Sequence, residues 1–141
     1  GDDEVMLTLK PGEHGSTFGG NPVACRVAME AVSVLQDEGL IENAIERGEQ
    51  LRAGLIALQR EFSVILKVRG QGLLNAIVVG NEVEEQADDL AWNLCLRMME
   101  HGVLAKPTHG HIIRLAPPLC ISTAEVDQAL DRIRKAIASL N

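Results

Sequence analysis

The sequence predicts an α+β fold in which helices cover a small, mostly antiparallel sheet. Three observations lead there. Short β-rich runs come in pairs, Val64 to Arg69 with Leu73 to Val79, and Val103 to Lys106 with Ile112 to Ala116, and paired short runs read as hairpins. Longer segments between and around them carry apolar residues at helical spacing. Gly and Pro punctuate the boundaries. The resulting order is helix, helix, strand, strand, helix, strand, strand, helix, which layers as helices on one side of a sheet.

The elements follow in order. Val23, Val27, Ala31, Val34 and Leu35 mark a first helix from about Pro22 to Glu38, and Gly39 stands just past its end. Ile41, Ala44, Ile45, Leu51, Leu55, Leu58 and Phe62 mark a second, weakened by Gly48 and Gly54. Its polar residues Glu42, Glu46, Arg47, Glu49 and Arg52 read as a solvated face. Gly70-Gln-Gly72 turns the first strand pair. The glycines there are followed by a strand, which rules out a dinucleotide fingerprint, since that motif needs a helix. Ala87, Leu90, Ala91, Leu94, Cys95 and Met98 give the third helix, ended by Gly102. Thr108-His-Gly-His111 joins the second strand pair and Pro117-Pro118 stops it. Ser122-Thr-Ala-Glu125 is a capping box, opening a last helix with the stripe Val126, Leu130, Ile133, Ile137 and Leu140. There is no internal repeat, low-complexity tract or interdomain linker.

With 141 residues, 46% of them hydrophobic, the chain can bury a sizeable core as one domain or a large part of one. A net charge of −7 repels phosphate backbones, so nucleic acid is excluded as a partner. Phe18, Phe62 and Trp92 are the only aromatic residues, which excludes aromatic stacking platforms. No apolar run approaches the roughly 20 residues that span a bilayer. Gly1-Asp-Asp-Glu4 has neither the basic nor the apolar part of a signal peptide. It leads abruptly into Val5-Met-Leu-Thr-Leu9, as if the natural N-terminus lay elsewhere. Cys25, Cys95 and Cys120 are odd in number, far apart and set among apolar residues, so they read as core thiols of a reducing compartment.

One loop carries chemistry. In His14-Gly-Ser-Thr-Phe-Gly-Gly-Asn-Pro22, Gly15, Gly19 and Gly20 admit unusual backbone angles, and Ser16 and Thr17 offer hydroxyls beside free amides. Asn21 reads as an N-cap and Pro22 as the first helical residue, placing a positive helix end nearby. The pattern fits a plain turn, the commoner use of such clusters, or an anion cradle with phosphate the natural guest. It is not a nucleotide P-loop, since no Gly-Lys-Ser/Thr follows. Arg114, inside Ile112-Ile-Arg-Leu-Ala116, either emerges on the solvent side, meets a structural carboxylate, or clamps a substrate carboxylate. His109 and His111 lack Cys or acidic ligands at matching spacing and read as a polar loop, so no metal site is predicted. His14 and His101 read as a loop residue and a helix-terminal residue. Lys106, before Pro107, reads as structural.

Four segments resemble one family. His14-Gly-Ser-Thr-Phe-Gly-Gly-Asn-Pro22 is similar to the phosphate-binding segment of class III pyridoxal-phosphate-dependent aminotransferases. Val68-Arg-Gly-Gln-Gly-Leu-Leu-Asn-Ala-Ile77, Gly102-Val-Leu-Ala-Lys-Pro-Thr-His109 and Ile113-Arg-Leu-Ala-Pro-Pro-Leu119 resemble, in order and spacing, the C-terminal part of the ornithine aminotransferases within that family. Ala-Lys-Pro-Thr-His discriminates them from the acetylornithine and 4-aminobutyrate types.

The resemblance implies a fold-type I transferase, with residues 1–38 ending the large cofactor domain and residues 39–141 forming most of the small C-terminal α+β domain. It implies transfer of the δ-amino group of ornithine to a 2-oxo acid, typically 2-oxoglutarate, through pyridoxal 5'-phosphate, giving glutamate 5-semialdehyde and glutamate. Thr17, assisted by Ser16, would bind the phosphate of a partner subunit's cofactor, so a homodimer or higher homo-oligomer is implied. Arg114 would grip the α-carboxylate of 2-oxoglutarate or glutamate. The Schiff-base lysine and the aspartate facing the pyridine nitrogen lie upstream in that family, so no catalytic residue is expected within these 141 residues, which alone should be inactive. Mitochondrial matrix and cytoplasm both stay open as compartments. The rival expectations are another class III ω-aminotransferase and a non-catalytic ligand-binding or dimerising α+β module.

Overall fold

The computed structural model describes residues 2–80 and 88–140. The chain divides into two compact units, Gly1–Glu38 and Gly39–Asn141.

In the first unit a short helix α1 (Asp3–Met6), not foreseen from the sequence, precedes the glycine-rich loop and the long helix α2 (Pro22–Asp37). The Asn21 side chain accepts from the Val23 and Ala24 amides at 2.9 and 3.2 Å. It thereby satisfies two of the donors that a helix start leaves unpaired. Pro22 at the first position lacks a donor to satisfy. Helix α2 contains no buried residue, and Val23, Val27, Met29 and Val32 are exposed along it.

In the second unit Gly39, left-handed at φ 61°, leads into helix α3 (Leu40–Glu61). Strands β1 (Ile65–Gln71) and β2 (Leu74–Val79) form a hairpin. Helix α4 (Asp88–Glu100), strands β3 (Lys106–Thr108) and β4 (Ile112–Leu115), and helix α5 (Thr123–Ala138) complete it. The sheet has the order β1-β2-β4-β3 and is antiparallel throughout. The α+β expectation holds.

Alternation divides the sheet into two faces. Val68, Asn75, Ile77, Val79, Ile113 and Leu115 point towards the core made with Leu51, Leu55 and Leu58 of α3, Ala91, Leu94 and Met98 of α4, and Val126, Ile133 and Ile137 of α5. The Ser122–Glu125 capping box is formed, with Glu125 N–H donating to Ser122 Oγ and Ser122 N–H donating back to Glu125 Oε2 at 2.8 Å.

Four expectations need correction. Ile41 and Ile45 are exposed, because the buried stripe of α3 runs through Gly48, Leu51, Leu55 and Leu58 instead. Gly48 is the contact point of that stripe, and a methyl there would overlap the Gly72 carbonyl. The third strand is Lys106–Thr108, not Val103 to Lys106. Pro107 sits inside it, tolerated because β3 is at the sheet edge, where a missing donor faces no partner strand. The first hairpin turns at Gly72 and Leu73, since Gln71 still pairs with Leu74. Of the three cysteines only Cys95 is buried; Cys25 and Cys120 are exposed. Ala87, expected on the third helix, lies outside the described residues.

Candidate functional site

The predicted site residues fall in different units, Ser16 and Thr17 in the first and Arg114 in the second. In the loop, Ser16 Oγ accepts from Gly19 N–H at 2.8 Å, a small hydroxyl-capped turn that folds the backbone back on itself. A Cβ on Gly19 would stand 3.0 Å from Ser16 Cβ, so any larger residue there would press on the turn. Gly20, at φ 75°, carries the chain into Asn21. Asn21 covers the Val23 and Ala24 amides with its own side chain, so the donors left for an anion belong to the loop itself. The N–H groups of Ser16, Thr17, Phe18 and Gly20 and the Thr17 hydroxyl meet no acceptor among the described residues. Exposed donors on a tight glycine turn are of the kind that suits an anion. The loop thus fits the phosphate of pyridoxal phosphate as far as its own donors go.

Arg114 lies in β4 with its side chain on the sheet face turned away from the helices, where it is exposed. It forms no ion pair with any described residue. Of the readings left open by the sequence, emergence on the solvent side is the one this geometry matches, and no described carboxylate pairs with Arg114. Arg114, Arg69, Ala76, Leu74, Thr108 and His109 line a shallow concavity of about 420 Å³ on that face. His109 adopts a left-handed backbone, φ 50°, in the turn that leads to β4. Among the described residues no group of His, Cys, Asp and Glu is arranged to hold a metal.

Sequence reasoning passed over Arg69. It pairs with Ala76 across β1 and β2, Ala76 pairs with Arg114 across β2 and β4, and Arg114 pairs with Lys106 across β4 and β3. Three cations thus stand in one row across the sheet, in a chain of net charge −7. The available signal was the alternation of Lys67, Val68 and Arg69, but only the register reveals that Arg69 and Arg114 share a row.

Behind this face a polar cluster fixes the hairpin. Arg52 Nη1 donates to the Gly72 carbonyl at 2.9 Å and to Asn75 Oδ1 at 3.2 Å, while Asn75 Nδ2 donates to the same carbonyl at 3.0 Å. Asn75 is the one buried polar side chain among the described residues, and these bonds compensate its loss of water. Burial of the Cys95 thiol pushes its pKa up to about 11, which makes it inert.

Comparison with known proteins places these features in context. The profile of the family described as Aminotransferase class-III matches residues 1–137. The mitochondrial ornithine aminotransferase of Drosophila melanogaster is 53% identical over 139 residues, covering 99% of this chain and 30% of that protein. Acetylornithine aminotransferase from Elizabethkingia anophelis superposes with a TM-score of 0.83 at 48% identity, covering 99% of this chain and 36% of that one. Plasmodium falciparum ornithine delta-aminotransferase superposes with a TM-score of 0.81 at 40% identity, covering 97% and 34%. The chain spans about 30% of the length of the curated relatives it matches.

Proposed function

Because the chain belongs to the class-III aminotransferase family, we propose that it serves as the C-terminal portion of an ornithine aminotransferase. That enzyme would move the δ-amino group of ornithine to 2-oxoglutarate, giving glutamate 5-semialdehyde and glutamate. The observation carrying this reading is 53% identity to an ornithine aminotransferase over 139 residues, 99% of this chain; the segment Ala105-Lys-Pro-Thr-His109, which resembles that type, includes the strand paired with Arg114. Residues 1–38 would end the cofactor domain and residues 39–141 would form the small domain.

Pyridoxal 5'-phosphate, when bound, supplies the electron sink for the transfer. Thr17 donates its hydroxyl and N–H to a phosphate oxygen, and the Ser16 hydroxyl proton assists while its oxygen holds the Gly19 turn. That phosphate belongs to a neighbouring subunit's cofactor, so the assembly is at least a homodimer. Arg114 grips the α-carboxylate of 2-oxoglutarate or glutamate, a planar fork suited to two parallel hydrogen bonds. No proton transfer is assigned to residues of this chain; the Schiff-base lysine and the pyridine-nitrogen partner belong to a part preceding it. Among the described residues no helix is long and apolar enough to cross a membrane. The name of the Drosophila relative, which includes mitochondrial, supports the mitochondrion over the cytoplasm as the compartment.

The test is amino transfer by the full-length protein with ornithine, N-acetylornithine and 4-aminobutyrate as donors to 2-oxoglutarate. Preference for ornithine, with glutamate 5-semialdehyde formed, supports the reading. Preference for N-acetylornithine moves it to the acetylornithine type, which the Elizabethkingia superposition favours as runner-up. Turnover by the 141-residue chain alone would overturn the assignment of the catalytic groups to another part.

A further inference from the structure

The cross-strand row on the open sheet face extends the carboxylate site beyond Arg114. Arg69 and Arg114 stand on either side of Ala76, in register with it on both flanks. Neighbouring strands are about 4.8 Å apart, so the two arginine backbones are separated by about 10 Å. Their long side chains rise from the same face, and the residue between them is reduced to a methyl group. Both side chains line one concavity whose floor is Ala76. Lys106 closes the row beyond Arg114. None of the three cations is engaged in an ion pair or a side-chain hydrogen bond among the described residues. Three like charges held side by side repel one another and are destabilising unless an anion joins them.

We infer that Arg69 and Arg114 form a two-guanidinium seat over Ala76 for one carboxylate of the acidic 2-oxo acid, with Lys106 deepening the positive field. The inference rests on the reading of this chain as part of an aminotransferase that uses such an acid, and it assigns Arg69 a specificity role. A carboxylate has two oxygens and about four lone-pair sites, enough for two forked donors at once. Ala76 sets the depth of the seat: a larger residue would lift the anion out of reach of both guanidinium groups. Lys106 acts at longer range, drawing dianions towards the face more strongly than monoanions.

The experiment measures the dissociation constant of 2-oxoglutarate by titration calorimetry on the full-length protein loaded with its cofactor, at several salt concentrations. For Arg69→Gln the constant should rise about tenfold and its dependence on salt should flatten, as expected when one charge-assisted contact is lost. Arg69→Lys should lie between wild type and Arg69→Gln, because a point charge replaces the fork. Ala76→Leu, which leaves every charge in place, should weaken binding comparably while keeping the salt dependence steep. If Arg69→Gln fails to fold, Ala76→Leu and Arg69→Lys decide the matter. Wild-type affinity and salt dependence in these variants would overturn the two-arginine seat. Failure of the wild-type protein to transfer any amino group is a separate outcome, which overturns the aminotransferase reading itself.

Discussion

Gly48→Ala tests how the hairpin that carries Arg69 is held. In an exposed helix interior the change adds about 1 kcal/mol of helix stability. In α3 it does the reverse. A Cβ at position 48 would overlap the Gly72 carbonyl and stand 2.9 Å from Gly72 Cα. Backbone cannot rotate aside as a side chain can, so the turn must move away from the helix. Overpacking of this kind costs about 1–3 kcal/mol. The Gly72 carbonyl also accepts from Arg52 and Asn75, and losing the bond to a charged donor costs about 1.5–3 kcal/mol. Set against the helix gain, the net loss is about 1.5–5 kcal/mol, each kcal/mol lowering the melting temperature by about 4–8 °C for a unit of this size. Gly54→Ala is the matched control, because the nearest atoms to its new methyl belong to the Leu130 side chain rather than to backbone, and a side chain can shift where backbone cannot. Urea unfolding of both variants decides it: Gly54→Ala should change stability by less than about 1 kcal/mol. Gly48→Ala as stable as wild type would refute the reasoning.

Other predictions follow from single contacts. Ser122→Ala should cost about 1 kcal/mol by removing the cap of α5, measured by the same unfolding assay. Hydrogen bonds from Ser122 hold the Glu125 carboxyl below its usual pKa, and the Arg134 bond does the same for Glu61. Carboxylates held below their unfolded value stabilise the fold above that value, about 4.5, and lose the effect as pH falls through the lower folded value. Melting temperature should therefore fall on the acid side, and less steeply in Glu125→Gln and Glu61→Gln. Thiol titration at pH 8 should find Cys25 and Cys120 reactive at once and Cys95 only after unfolding, given its burial and a pKa near 11. Thr17→Ala in the full-length protein should speed loss of pyridoxal phosphate on dialysis, read by absorbance, with Ser16→Ala giving a smaller effect.

The second unit was legible where local signals and tertiary demands agreed. Ser122 and Glu125 satisfy each other within four residues, and Val126 to Ile137 keep one stripe, so α5 could be read directly. Strand β3 could not be, because Pro107 looks like a terminator until its place at the sheet edge is known. Gly48 looked like a weakness, since the turn it accommodates lies 24 residues away, at Gly72. Arg114 could be singled out from its apolar neighbours, but Arg69 needed the strand register, which no periodicity within β1 encodes.

The loop presents the opposite case, with its local chemistry legible and its support absent from its own unit. The Ser16–Gly19 turn and the Asn21 cap arise between residues three or fewer apart, so sequence alone placed the donors. Yet α2, which the loop leads into, buries none of its residues while exposing Val23, Val27, Met29 and Val32. A helix of 16 residues with no tertiary cover is marginal in water, since most helical stability in proteins comes from packing one face. The rigidity that a phosphate cradle needs must then come from surfaces laid against that apolar helix.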